Sequence, residues 1–214
     1  LQQKFFNEQN RKLKKQYRDA IERIEWEFIE ETLKEQGHEE AMKKLQKFKK
    51  DKSKPFFLWK LYFSEVFTRE NPGFDVVIAN PPYVEHKKLK EFSRIFQKNY
   101  KTYSGTADVY VYFYEKSFEV IRKNGCLTFI TSNKFMKTSY GAALRKYFLE
   151  KQIKEIVDFT DVHVFEALVA SCVIVALNTK YSENRVIITF IKDNFTLNKS
   201  LSNYVKENGF KFLQ

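Results

Sequence analysis

The stretch "GFDVVIANPPYVEHKKLK", Gly73 to Lys90, decides how this chain is read. Phe74 to Asn80 is a short, nearly all-apolar run of the kind expected in a strand covered on both faces. That strand has to stop at Pro81 and Pro82, since neither has an N–H to give to a ladder. Tyr83 and three lysines, Lys87, Lys88 and Lys90, follow at once. A rigid, polar and aromatic corner thus stands at the end of a buried strand. In open α/β sheets that is where sites are built.

Working outward toward the C-terminus, "ADVYVYFYEKSFEVIRKNG" reads as a helix, with Asp108 as a helix N-terminal residue and Gly125 just past its end. "CLTFITSN" (Cys126 to Asn133) reads as a second strand, "SYGAALRKYFLEK" as a helix, and "IKEIVDF" and "SCVIVALN" as further strands. Strand, helix, strand, helix, strand predicts a right-handed α/β sheet. Asn80, then Ser132 and Asn133, then Thr160 and Asp161 fall at its strand ends. "RVIITFIKD" is expected to add a strand, and the polar remainder to Gln214 has no clear pattern.

Toward the N-terminus, Leu13, Tyr17, Ile21, Ile24, Phe28 and Leu33 form a helical stripe, and Met42, Leu45 and Phe48 form a second one before Pro55. Residues 1–54 therefore predict a charged helical hairpin whose lysines and arginines line its solvated faces. Three segments result: 1–54, 55–180 and 181–214.

The chain has 214 residues, enough for one good core and a small accessory unit, and a net charge of +11. Such a field favours a polyanion, with nucleic acid ahead of an anionic membrane. No apolar run reaches the roughly 18 residues of a membrane span, and no signal segment opens the chain. Cys126 and Cys172 sit in apolar runs, and His38, His86 and His163 are scattered, so no metal site is expected and a reducing cytoplasm is the simplest setting. His86 and His163 read as surface histidines. A first residue of Leu suggests a piece of a longer protein.

The corner's chemistry is specific. Asn80 offers a side-chain carbonyl, Pro81 a main-chain carbonyl, and Tyr83 a flat ring on a path fixed by Pro82. Two acceptors side by side suit an NH₂ group, and a ring suits a planar partner. The exocyclic amino group of a nucleobase is such a partner. Its lone pair is delocalised, but holding both hydrogens pushes the nitrogen toward tetrahedral geometry and localises the pair for attack on a methyl group. Inside a duplex that base must first leave the stack.

Asn-Pro-Pro-Tyr after a buried strand resembles the catalytic motif of S-adenosylmethionine-dependent amino-group methyltransferases. With "YSGTADVYVYFYEKSFEVIRKNGCLTFITSNKF" and "YGAALRKYF" beyond it, the region from Trp59 to Lys180 looks like the catalytic domain of adenine-specific DNA methyltransferases of type IIG restriction-modification enzymes. The resemblance implies the C-terminal half of a Rossmann-like methyltransferase sheet. It assigns Asn80, Pro81, Pro82 and Tyr83 to catalysis, with Tyr83 stacking on the flipped adenine. "DVHVFEALVAS" resembles the family's second base-stacking loop and points to Phe165, for which an ordinary core aromatic is the alternative. Lys87, Lys88 and Lys90 are then placed for DNA phosphates. Implied partners are double-stranded DNA, an N-terminal cofactor-binding half and a C-terminal target-recognition region, in a prokaryotic cytoplasm.

The family's glycine-rich cofactor turn has no counterpart among glycines 37, 73, 105, 125, 141 and 209. Glu65, in "FLWKLYFSEVF", is the nearest counterpart of an acidic residue that meets the cofactor adenine, and a solvent-facing charge explains it equally well. Little or no S-adenosylmethionine binding is expected of this piece alone, and an open edge at Phe74 to Asn80 is expected to promote self-association. Methyltransferases acting on a glutamine side chain or on RNA share the corner, and a DNA-binding piece without catalysis is a further alternative. The charge, the helical segment and the aromatic loop favour DNA. Cytosine is disfavoured because the family that targets it carries Ser in place of Asn80.

Overall fold

A computed structural model describes residues 1–35, 37, 39–51, 57–162, 164–165, 169–180, 185–192, 195 and 200–212. The chain divides into two compact units, Leu1–Thr68 and Arg69–Gln214.

The first unit is helical: α1 (Gln2–Asn7), α2 (Arg11–Glu35), α3 (Glu39–Lys50), α4 (Trp59–Tyr62) and α5 (Ser64–Phe67). The expected hairpin is α2 followed by α3. Its stripe is only partly buried: Ile21 and Leu45 are enclosed, whereas Leu13, Ile24 and Phe28 remain exposed; Trp26, outside the stripe, is enclosed as well. At 25 residues α2 is longer than the helices α1 and α3 that contact it, so among the described residues its apolar spacing continues past what they cover. No helix among the described residues is long and apolar enough to cross a membrane.

The second unit is built on a sheet whose described strands are β1 (Phe74–Ala79), β2 (Ile121–Ser132), β3 (Gln152–Asp158), β4 (Ser171–Leu177), β5 (Val186–Phe190) and β6 (Phe210–Phe212). Their order is β1-β2-β4-β3-β5-β6. β1 runs parallel to β2 and β3 to β5, while β4 runs antiparallel to both β2 and β3. The sheet is therefore mixed, and the strand read from "RVIITFIKD" is present as β5. The helices of this unit are α6 (Ser93–Asn99), α7 (Tyr110–Val120), α8 (Lys134–Lys137), α9 (Ala142–Phe148) and α10 (Leu201–Asn208).

Strand alternation decides which side chains meet the main core. Val77 and Ala79 of β1, with Leu127 and Phe129 of β2 and Ile174 of β4, pack against α7, α8 and α9. Tyr110, Val111, Tyr114 and Phe118 project from α7 into this layer at 0–3% exposure. Val157, Phe159, Ile191, Phe195 and Val205 make a second, smaller cluster joined by Val173 and Ile187. The expectation of a fully covered first strand is corrected here: Val76 and Ile78 are 52% and 76% exposed. Among the described residues β1 pairs only with β2, so it ends the sheet. An all-apolar run records what a strand can bury, not whether both sides are occupied.

A second correction concerns the helix read through to Asn124. α7 stops at Val120, and Ile121 opens β2. Phe74 lies opposite Ile121 and Val76 opposite Cys126, so residues 122–125 bulge from the ladder. Asn124 takes the left-handed conformation there, at φ 61°. The Asn178 side chain donates to the Ile121 carbonyl at 2.8 Å and to that of Phe118 at 3.2 Å, satisfying groups that a longer helix would have bonded itself. Gly73, at φ 114°, backs onto the bulge, where a Cβ would stand 2.5 Å from the Arg122 nitrogen. The helix read from "SYGAALRKYFLEK" is shortened likewise, with a 3₁₀ turn at Ser139–Gly141 ahead of α9.

Cys172 is fully buried, and desolvation pushes its thiol up from 9.0 to about 12 against the lowering effect of Thr131. Between those values the unfolded chain ionises this thiol and the folded chain does not, so raising pH through that window favours unfolding. Iodoacetamide at pH 8 is expected to add once to the native chain, at the partly exposed Cys126, and twice after denaturation. Intact-mass spectrometry reads the count; two native adducts would contradict the packing.

Candidate active site

Three strand ends and one strand beginning converge at one rim of the sheet. The register sets Ala79 beside Phe129, Ser132 beside Ser171, and Asp158 beside Cys172. Asn80 therefore leaves β1 on the same rim from which Asn133 leaves β2, Phe159 leaves β3, and where β4 begins. Because β4 is antiparallel, the loop between β3 and β4 starts and finishes there.

Asn80 is exposed, so its amide is available to a ligand, whereas Pro81 is buried and anchors the turn. The chain is tied down again at Val84, whose carbonyl accepts from the Val109 N–H at 3.0 Å, just ahead of α7. Between these anchors Tyr83 is 39% exposed. Its ring meets Tyr110 edge to face with centroids 6.5 Å apart. On another side it meets Phe165 at 6.4 Å and 66°. The structure thus brings together two aromatics that lie 82 positions apart in the chain, by subtraction of their residue numbers. Burial raises the Tyr83 hydroxyl above its ordinary pKa of 10.0, while hydrogen bonding with Ser171 works in the other direction.

Lys87, Lys88 and Lys90 are exposed on a 3₁₀ segment, His86–Phe92, that continues into α6. His86 is half-buried, and His163 lies outside the described residues. Asp108 precedes α7 but makes no side-chain cap for it. Desolvation raises its pKa, and hydrogen bonding from the His86 backbone and the charge of Lys134 partly offset that rise. Tyr110 extends the surroundings of Tyr83 through a 3.1 Å hydroxyl contact with Tyr140.

Sequence reading missed a buried polar cluster beneath this rim. Asn133 and Asp158 are 4% and 5% exposed. The Asn133 side-chain amide donates to Asp158 Oδ1 at 2.9 Å and to Thr160 Oγ1 at 2.8 Å. Thr160 donates to the same Asp158 oxygen from its N–H at 3.0 Å and its hydroxyl at 2.7 Å. Polar residues closing apolar strand runs were the available signal, since such groups stay buried only when satisfied.

Glu65 is exposed on α5, in the first unit, and lines a cavity of about 450 Å³ with Gln2, Ile21, Leu61, Ser64 and Thr68. None of the six glycines forms a phosphate-cradling turn between a strand and a helix. Gly73 and Gly125 belong to the β1–β2 bulge, and Gly141 packs on the Phe135 backbone, where a Cβ would come within 2.0 Å of its carbonyl oxygen. Among the described residues no glycine-rich turn joins a strand to a helix at this rim.

Residues 2–165 match the family described as Eco57I restriction-modification methylase. Type II methyltransferase M.BstVI of Geobacillus stearothermophilus is 33% identical over 135 residues, which are 62% of this chain and 23% of that protein. Type II restriction enzyme and methyltransferase RM.Eco57I of Escherichia coli is 28% identical over 123 residues, 55% of this chain and 12% of that protein. The chain therefore spans about a quarter or less of the curated relatives it resembles. A solved type I restriction-modification methyltransferase subunit from Streptococcus thermophilus aligns over 65% of this chain and 31% of its own, at 15% identity and a TM-score of 0.49. With the family profile covering most of the sequence, this chain belongs to the Eco57I restriction-modification methylase family.

Proposed function

We propose that this chain is the target-base half of an S-adenosylmethionine-dependent DNA methyltransferase of a restriction-modification system, acting on the exocyclic amino group of a flipped adenine. The supporting observation is the exposed Asn80 amide beside the half-exposed Tyr83 ring, with Phe165 reaching that ring from a separate loop. In this reading the Asn80 side-chain oxygen and the Pro81 carbonyl accept the two amino hydrogens, Pro82 fixes their path, and Tyr83 and Phe165 stack on the base. Holding both hydrogens localises the nitrogen lone pair and stabilises positive charge as it develops there. Two rings clasping a base need to lie parallel and about 7 Å apart, twice an ordinary ring contact. Tyr83 and Phe165 instead meet edge to face at 6.4 Å, so one ring must turn as the base enters.

Lys87, Lys88 and Lys90 hold the flanking phosphates in the same reading. Replacing all three by Gln is expected to lower the salt slope of double-stranded DNA binding by about 1 per lysine that contacts phosphate, with little change in sequence preference. An unchanged slope, measured by anisotropy titrations at several salt concentrations, removes them from the interface.

The reaction itself is tested on the full-length protein carrying this chain, by transfer of a labelled methyl group to DNA followed by identification of the modified base. Label on adenine N6, lost in Asn80→Ala, supports the proposal. Label on cytosine, on RNA or on a glutamine side chain sinks it. The lack of a glycine-rich turn at this rim among the described residues favours a second reading for the isolated chain, in which it binds DNA without methylating it.

A further inference from the structure

The loop between β3 and β4 presents Phe165 to Tyr83. Of its described residues, Val162 and Val164 pack on the smaller core cluster, and the feet of the loop hold it at the rim. Both feet are fixed by one residue of a different strand end. The Asn133 side chain reaches the first foot, at Asp158 and Thr160. Its backbone N–H donates to the Ala170 carbonyl, on the second foot, at 3.0 Å. Between the feet, the Phe159 N–H donates to the Ser171 carbonyl at 2.9 Å, and the Ser171 hydroxyl donates to the Val169 carbonyl at 3.1 Å. The two feet of the loop that carries Phe165 are thereby tied to the same few atoms.

We propose that Asn133, Asp158 and Thr160 are positioning residues that staple the feet of this loop, so that Phe165 is held against the base-stacking face of Tyr83. The inference rests on the reading of Tyr83 and Phe165 as base-stacking residues. Asp158 acts through one oxygen, Oδ1, which takes three hydrogen bonds. Its charge is not required: an Asn at 158 keeps an acceptor in that place. Thr160 both donates to Asp158 and accepts from Asn133, so removing its hydroxyl breaks two links at an exposed position that carries little of the core.

The test uses the 214-residue chain and a single-stranded oligonucleotide with one 2-aminopurine in place of adenine, a base that needs no extrusion from a duplex. Stacking on the rings quenches its fluorescence. At saturating protein, Thr160→Val and Asn133→Ala are expected to show quenching reduced about two-fold or more, with Kd changed less than about two-fold because phosphate contacts are untouched. Asp158→Asn is expected to match the native chain, and Asp158→Ala to resemble Thr160→Val. Native quenching in Thr160→Val, or equal loss in Asp158→Asn and Asp158→Ala, overturns the staple. If Asn133→Ala loses its fold by circular dichroism, Thr160→Val decides. Failure of the underlying reading has a different signature: the native chain binds the oligonucleotide but quenches no more than Tyr83→Ala, and the staple then falls with it.

Discussion

Asn80→Ala is expected to lower the rate of methyl transfer by about a hundred- to a thousand-fold, the usual effect of deleting one preorganised partner of a developing charge. The loss should fall on kcat, with KM for DNA nearly unchanged. The physical reason is a division of labour. In the proposed reading, Asn80 meets an amino nitrogen whose positive charge appears only as the new bond forms, whereas the lysines beyond the corner meet phosphates equally in the ground and transition states. Tyr83→Ala should behave differently. Removing a stacking face weakens binding of the exposed base by about five- to a hundred-fold, given the ordinary worth of base–aromatic stacking. Single-turnover kinetics on the full-length protein separate the two. Equal effects of both substitutions on KM alone would contradict the roles given to them.

Tyr114→Ala is expected to cost about 3–5 kcal/mol of stability, the range for truncating a large buried aromatic. Tyr114 is fully enclosed on the face of α7 that meets the sheet. Its ring lies 5.0 Å from those of both Phe129 and Phe148 and 6.0 Å from that of Phe135, so one side chain joins β2, α8 and α9. Its hydroxyl pairs with Thr131 Oγ1 at 2.9 Å, and burial holds its pKa well above the usual value. Tyr114→Phe removes only that bond and is expected to cost about 1 kcal/mol, since Thr131 keeps Cys172 Sγ at 4.0 Å as a weak second partner. Urea denaturation measures both. Similar losses in the two variants would mean that the hydrogen bond, rather than the ring, holds the layer together.

The staple bears on how far the site is preorganised. Tyr83 is set by Pro81 and by the Val84–Val109 bond at the start of α7. Phe165 sits on a loop held at its feet and, through Val162 and Val164, on the second core cluster.

The corner and the β1-to-α7 and β3-to-β4 order were legible from sequence because they follow from local rules. Consecutive prolines end a ladder wherever they occur, apolar runs of that length form strands, and Asn-Pro-Pro-Tyr brings its acceptors and ring together through adjacent residues. What local rules do not contain is the partner of each element. Composition alone could not reveal that β4 runs antiparallel between β2 and β3, that β1 leaves Val76 and Ile78 uncovered, or that α7 gives way at Ile121, where Asn178 donates to the carbonyls of Phe118 and Ile121. The Asn133–Asp158–Thr160 cluster and the meeting of Tyr83 with Phe165 also belong to tertiary structure. Each joins residues distant in the chain, and hydrogen bonds and ring contacts depend on proximity in space, which sequence order encodes only after the sheet has assembled.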